Sequence, residues 1–257
     1  MLGFSAKLPI TDEDRQWVDE GFRRLDAMLG RRRMLDATVV LPAAEHFPDH
    51  YDKTAAAAEQ LFCRVCAFMQ VDRSCIELEI FPDETEDLRK ILPSWHSSSG
   101  ESAAGLYVHP TKEGVREEGM NEGSRMVVAL KSSLLKDPLS LVATAAHELG
   151  HVILLGGGLM ARDTPDHEPM TDLLTVYLGF GIFTANSAAR FKQYQEERRI
   201  GWSMQRLGYL PEEVYGYALA RFAAEREEDT AAWTKHLSTN VRTYFKRSRE
   251  WLKKNRH

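Results

Sequence analysis

Cysteine is scarce in this sequence, and long uninterrupted apolar runs are missing. Its 257 residues include three cysteines. An odd number in so large a chain excludes a disulfide framework as the source of stability. No apolar run reads as a bilayer span: Leu173–Ala185 is apolar but too short. The first residues, Met1, Leu2, Gly3 and Phe4, lack the basic start and long apolar stretch of a secretory signal. A cytoplasmic location with no membrane partner is the resulting expectation. Strong net charge is missing too. A formal charge of −5 gives no global attraction to nucleic acid, so none is expected as a partner. Internal repeats and low-complexity tracts are absent, and nothing in the sequence sets an oligomeric state.

What is present is ordinary for a globular protein: 43% hydrophobic and 28% charged residues. The chain is long enough to bury a substantial core. Residues 11–30 carry Trp17, Val18, Phe22, Leu25, Met28 and Leu29 on one helical face, with Thr11 or Asp12 as cap. Residues 36–41 read as a short strand stopped by Pro42. A helix is expected over 53–70. Residues 75–81 alternate, Ile76, Leu78 and Ile80 against Glu77 and Glu79, as a half-buried strand does. Two further strands are expected at Gly105–His109 and Met126–Leu130, and glycine-rich, charged residues 111–124 read as a loop. Asp137 followed by Pro138 starts a helix that runs through Leu155 to Gly156, Gly157 and Gly158. Helices then follow at about 169–180, 188–207, 211–227 and 229–254. The order predicts an α+β fold, with a mixed helix–strand part followed by an all-helical part.

The chemistry lies in His147-Glu148-Leu149-Gly150-His151. On a helix, residues four apart share a face, about 6 Å apart between Cβ atoms. Two imidazoles so placed can converge on one ion. Glu148 lies about 100° round the helix and reaches a water on that ion rather than the ion itself. Two ligands and a general base thus come from one helical turn. The flanks, Leu139–Ala146 and Val152–Leu155, are apolar, so the helix is expected to be buried, where a bound metal would satisfy its polar groups. The plain alternative is a pair of hydrogen-bonded core histidines. A catalytic zinc needs a third protein ligand and one open position. His167, Glu168 and Asp172 come next in the chain.

This pattern resembles the gluzincins, the thermolysin-like zinc peptidases: HExxH, then Glu-x-x-x-Asp, here Glu168-Pro169-Met170-Thr171-Asp172. The resemblance covers about residues 125–180. It implies a single zincin-like domain, its α+β lobe (1–158) carrying the motif helix and its helical lobe (159–257) the third ligand. It implies zinc held by His147, His151 and Glu168, with Glu148 as general base and Asp172 orienting His147. The substrate would be a peptide or protein, pairing with strand 126–130 as the edge of the sheet. His167 competes with Glu168 for the third position, because Pro169 is expected to push Glu168 out of helical geometry. The metzincin extension is excluded, since Leu154 and Gly157 stand where its glycine and histidine belong. A rival from another class is a regulatory or interaction protein, with a structural metal or a cleft that binds without cutting.

Other features carry blander readings. Cys63-x-x-Cys66 lies mid-helix and reads as core or boundary. Arg31-Arg32-Arg33 suits a helix C-terminus. The last helix, with Lys246, Arg247, Arg249, Lys253, Lys254 and Arg256 beside Tyr244, Phe245, Trp251 and Leu252, packs by its aromatics and solvates its basic face. The zincin resemblance further implies an oxyanion donor from the helical lobe, for which Tyr177, Tyr209, Tyr215, Tyr217 and His236 are all open. Gly179 and Gly181 are expected to let their helix approach the motif helix.

Overall fold

The computed structural model describes residues 7–83, 105–108, 125–196 and 210–255. The fold is α+β and mostly helical. Contacts divide the chain into two compact units, 43–164 and 1–42 with 165–257. The first 42 residues thus group with the C-terminal helices, where the sequence suggested a boundary near 158.

The unit of residues 43–164 is built on a three-stranded sheet. Its strands are β1 (Ile76–Phe81), β2 (Gly105–Val108) and β3 (Met126–Lys131), in the order β1-β3-β2. β1 pairs parallel to β3, with Ile76 opposite Met126, and β2 pairs antiparallel to β3, with Gly105 opposite Leu130. β3 is therefore central and not the edge strand the resemblance implied; its residues Val128, Ala129 and Leu130 are fully buried. Among the described residues, β2 leaves one side unpaired.

Numbering helices along the chain, α1 is Asp12–Leu29, α2 Arg31–Leu35, α3 Ala55–Met69 and α4 Pro138–His151. α3 and α4 pack together, and α4 also lies against β2 and β3. The start of α4 follows from its sequence. The Asp137 side chain accepts the Ser140 N–H at 3.2 Å, and Pro138, with no N–H to satisfy, takes the first helical position. Every residue from Leu141 to His151 is buried, so α4 is a core helix apolar on nearly all sides. Beyond His151 it loosens into a π-helical turn, Val152–Gly156, closed by Gly157 N–H on the Val152 carbonyl at 3.0 Å. Pro138–Gly156 is 19 residues long and passes a bilayer-span test on length and apolarity, which revises the expectation that no run does. Of its apolar window, 78% is buried inside the protein.

The other unit is helical throughout. It holds α1, α2, α5 (His167–Tyr177), α6 (Gly181–Glu196), α7 (Glu212–Glu225) and α8 (Thr239–Lys254). Thr11 caps α1 by accepting the Asp14 N–H. Residues 36–41 form no strand; Val40 N–H instead bonds the Gly179 carbonyl at 3.0 Å. Gly179 has φ +88°, and a Cβ there would stand 2.0 Å from the Thr38 carbonyl oxygen. Its close approach is to that extended segment, and Gly181 meets Leu219 and Val176. Neither glycine serves the motif helix. The arginine run follows the end of α1 and forms the short α2, whose last turn holds Arg32 and Arg33, with Arg31 paired to Glu225 and Arg32 to Asp36. Arg226 donates to the carbonyls of Met34, Leu35 and Ala37 at 2.8–2.9 Å, so one charge completes the end of α2. In α8, Phe245 is buried edge-on to Trp233 at 5.4 Å, and Arg249 donates to the Glu228 and Asp229 carbonyls.

Candidate metal centre

The i, i+4 spacing on α4 brings two imidazoles together. The His147 and His151 ring centres are 4.8 Å apart and nearly perpendicular, at 87°. Both residues are buried, as is Glu148 between them, at 5–7% exposure. Such burial is rare for these residue types unless polar partners are close.

β2 shapes the surroundings of Glu148 and His151. Gly105 lies directly against Glu148: a Cβ built there would come 2.8 Å from Glu148 Oε1, 2.9 Å from its Cγ and 2.6 Å from Thr144. The glutamate therefore occupies space that only glycine leaves open. Two residues on, Tyr107 stacks on His151, with ring centres 6.3 Å apart and planes within 20°. The Tyr107 hydroxyl donates to Met126 Sδ at 3.6 Å. Burial pushes its phenol up to about 12, with Arg162 pulling weakly the other way, so it stays protonated. Gly105→Ala is expected to displace the Glu148 carboxylate while leaving the imidazoles in place. The measurable outcome is activity lowered by at least about tenfold, the scale on which a misplaced catalytic group acts, with bound metal unchanged.

Glu168 is the second residue of α5. Pro169 does not exclude it from the helix, as the sequence reading expected. Proline is tolerated within the first turn, where N–H groups lack helical partners in any case. The preceding Asp166 is held from α1, by Trp17 Nε1 at 3.2 Å and by Arg24 at 2.7 Å, which anchors the start of α5. His167 Nε2 sits 3.3 Å from Glu168 Oε1. One ligand atom each from His147, His151 and Glu168 lie within 4.8 Å of one another, and this group could hold a metal ion. Two nitrogens and a carboxylate oxygen make the donor set zinc takes in open sites. Among the described residues His167 is not part of that group. The buried Asp172 carboxylate accepts the Leu210 N–H at 2.8 Å.

Two of the tyrosines left open as oxyanion donors have structural work. Tyr177 donates to Asp26 at 2.8 Å and to the Gly30 carbonyl at 3.1 Å, and Tyr217 donates to Asp19 at 2.9 Å. Tyr215 is buried, the His236 carbonyl accepts from Asn186, and Tyr209 lies outside the described residues, as do residues 111–124. Cys66 is buried and its thiol is pushed up to about 12 by burial, while Cys63, raised by burial and by Glu59, donates to that carboxylate, so neither setting favours the thiolate that redox chemistry uses. The neighbours that sequence reading missed are Gly105, Tyr107 and Arg162, none of which has a spacing that ties it to the motif. No protein-family model, no curated protein and no solved structure matches the chain.

Proposed function

We propose that this chain is a zinc-dependent metallohydrolase of zincin-like, gluzincin-type design that hydrolyses peptide bonds in a peptide or protein substrate. The observation that carries this reading is the His147–His151–Glu168 group, with Glu148 buried beside it on the same turn of α4. His147, His151 and Glu168 would hold the ion, leaving a fourth position for water or substrate. Zinc in that place supplies Lewis acidity, enough to bring the pKa of water to about 7. Glu148 accepts the proton of the attacking water and returns it to the departing amine. Its carboxylate lies against the bare face of Gly105. Asp172, accepting from the second ring N–H of His147, would fix that imidazole's tautomer and raise its basicity. Substrate pairing moves from β3 to β2. β2 has an unpaired side among the described residues, and it is the strand in contact with Glu148 and His151.

The rival reading, a regulatory or interaction protein with a structural metal, draws on His167. A fourth donor so close to Glu168 would close the ligand shell. A hydroxamate distinguishes the two. With an open position, the zinc-loaded protein is stabilised by about 2.7 kcal/mol at a hundredfold excess of inhibitor over its Kd, seen as a raised Tm. A Tm that stays put while zinc remains bound rejects the catalytic reading.

A further inference from the structure

Next to the candidate centre stands a cation with no carboxylate partner among the described residues. Arg162 follows the π-helical turn, and its guanidinium carbon lies 5.5 Å from the centre of the Tyr107 ring, with a hydrogen bond to the Tyr107 side chain. Tyr107 in turn stacks on His151. This placement is built by three elements. β2 supplies Tyr107, β3 supplies the Met126 sulfur that its hydroxyl meets, and Gly156 makes room, since a Cβ there would come 2.7 Å from that hydroxyl. Elsewhere the half-buried arginines Arg15, Arg24, Arg73 and Arg226 are each paired with a carboxylate, and Arg242 and Arg249 donate to backbone carbonyls. Among the described residues none stands within ion-pair distance of Arg162, although it too is half-buried. A guanidinium offers a planar fork of donors that fits a carboxylate in two parallel hydrogen bonds, and an aromatic neighbour restricts the freedom it would lose on binding.

Laid end to end, the two ring separations put the guanidinium no more than about 12 Å from the His151 ring. Extended peptide covers that span in three to four residues at ~3.3–3.6 Å each. We propose that Arg162 binds a carboxylate of the peptide substrate, so that the site acts on chains carrying a negative charge within a few residues of the bond it cuts. The inference rests on the peptidase reading above and names the substrate class of that site. The charge can be a free C-terminal carboxylate or an aspartate or glutamate side chain; the chemistry at Arg162 is the same.

Binding by the zinc-loaded Glu148→Gln protein tests this without turnover. Three fluorescent peptides of one neutral sequence serve as probes: the free acid, the C-terminal amide, and the amide with one glutamate near its end. At least one charged peptide is expected to bind about tenfold or more tighter than the neutral amide, the scale of a hydrogen-bonded charge. Preference for the free acid assigns the C-terminal carboxylate, and preference for the glutamate peptide assigns the side chain. Arg162→Met should erase the difference, and Arg162→Lys, which keeps charge but loses the fork, should reduce it. Equal affinities for all three peptides, or a preference that survives Arg162→Met, overturns the proposal. Zinc content of the same samples separates the two ideas. Zinc retained without charge preference sinks this inference alone. Charge preference in a protein that holds no zinc sinks the metal reading alone.

Discussion

Glu148→Gln is expected to hold zinc at one equivalent per chain and to cleave peptides about 10²–10⁴-fold more slowly than the parent, the range a positioned general base contributes. Glutamine keeps the shape and fills the same space against Gly105, but its amide cannot take a proton from water. The loss should fall on kcat, because the residue acts on the attacking water and not on substrate binding. Zinc by elemental analysis and turnover on a pool of fluorogenic peptides give both halves of the result. A variant as active as the parent removes Glu148 from the mechanism. A variant that loses its zinc would place Glu148 among the ligands, contrary to its position about 100° round α4 from His147.

The second large effect is on the metal itself. His147→Ala, His151→Ala and Glu168→Ala are each expected to weaken zinc binding by more than about 100-fold, the upper end of what outer hydrogen-bond partners contribute. Asp172→Asn should fall in that outer range, about 10–100-fold, and its Tm must be read alongside, because the same carboxylate accepts the Leu210 N–H. His167→Ala should leave zinc affinity within about tenfold, since His167 is then an outer partner at most. Competition with a chromophoric chelator measures all five. If His167→Ala costs as much as Glu168→Ala, the ligand shell is closed and the structural-metal reading gains. If Glu168→Ala costs nothing, the third ligand has been misassigned.

These expectations rest on features of unequal legibility in the sequence. Spacing carried the site: two histidines one turn apart on a long apolar helix had to share a face, and their rings do lie 4.8 Å apart. Hydrophobic periodicity likewise found α1, α3 and β1, because each buries one face, while Asp137-Pro138 and the glycines at 156–158 bounded α4. Long-range placement was not legible. Residues 36–41 have strand composition, yet the Val40 N–H bonds the Gly179 carbonyl and not a sheet neighbour. Composition shows that a segment is apolar and extended, not which backbone it meets. The zincin resemblance implies that β3, the strand before α4, is the edge, whereas it is central; β2, which sits against Glu148 and His151, reads as a strand but not as part of the site. Gly105, Tyr107 and Arg162 belong to the site's surroundings through sheet register and a loop, and neither leaves a periodic trace. Pro169 misled for a local reason: its restriction on the preceding residue is real, but within a first turn it removes no helical hydrogen bond.

The central claim is that His147, His151 and Glu168 hold one zinc ion with a position left open. Anomalous diffraction at the zinc edge, from crystals of the full chain grown with zinc and without chelator, tests it most directly. The account predicts a single strong peak at about 2.0–2.2 Å from one nitrogen of each histidine and one oxygen of Glu168, with a solvent molecule completing a tetrahedron. An ordered site with no anomalous peak between these side chains, or a peak bound by four protein ligands with no solvent, would contradict it.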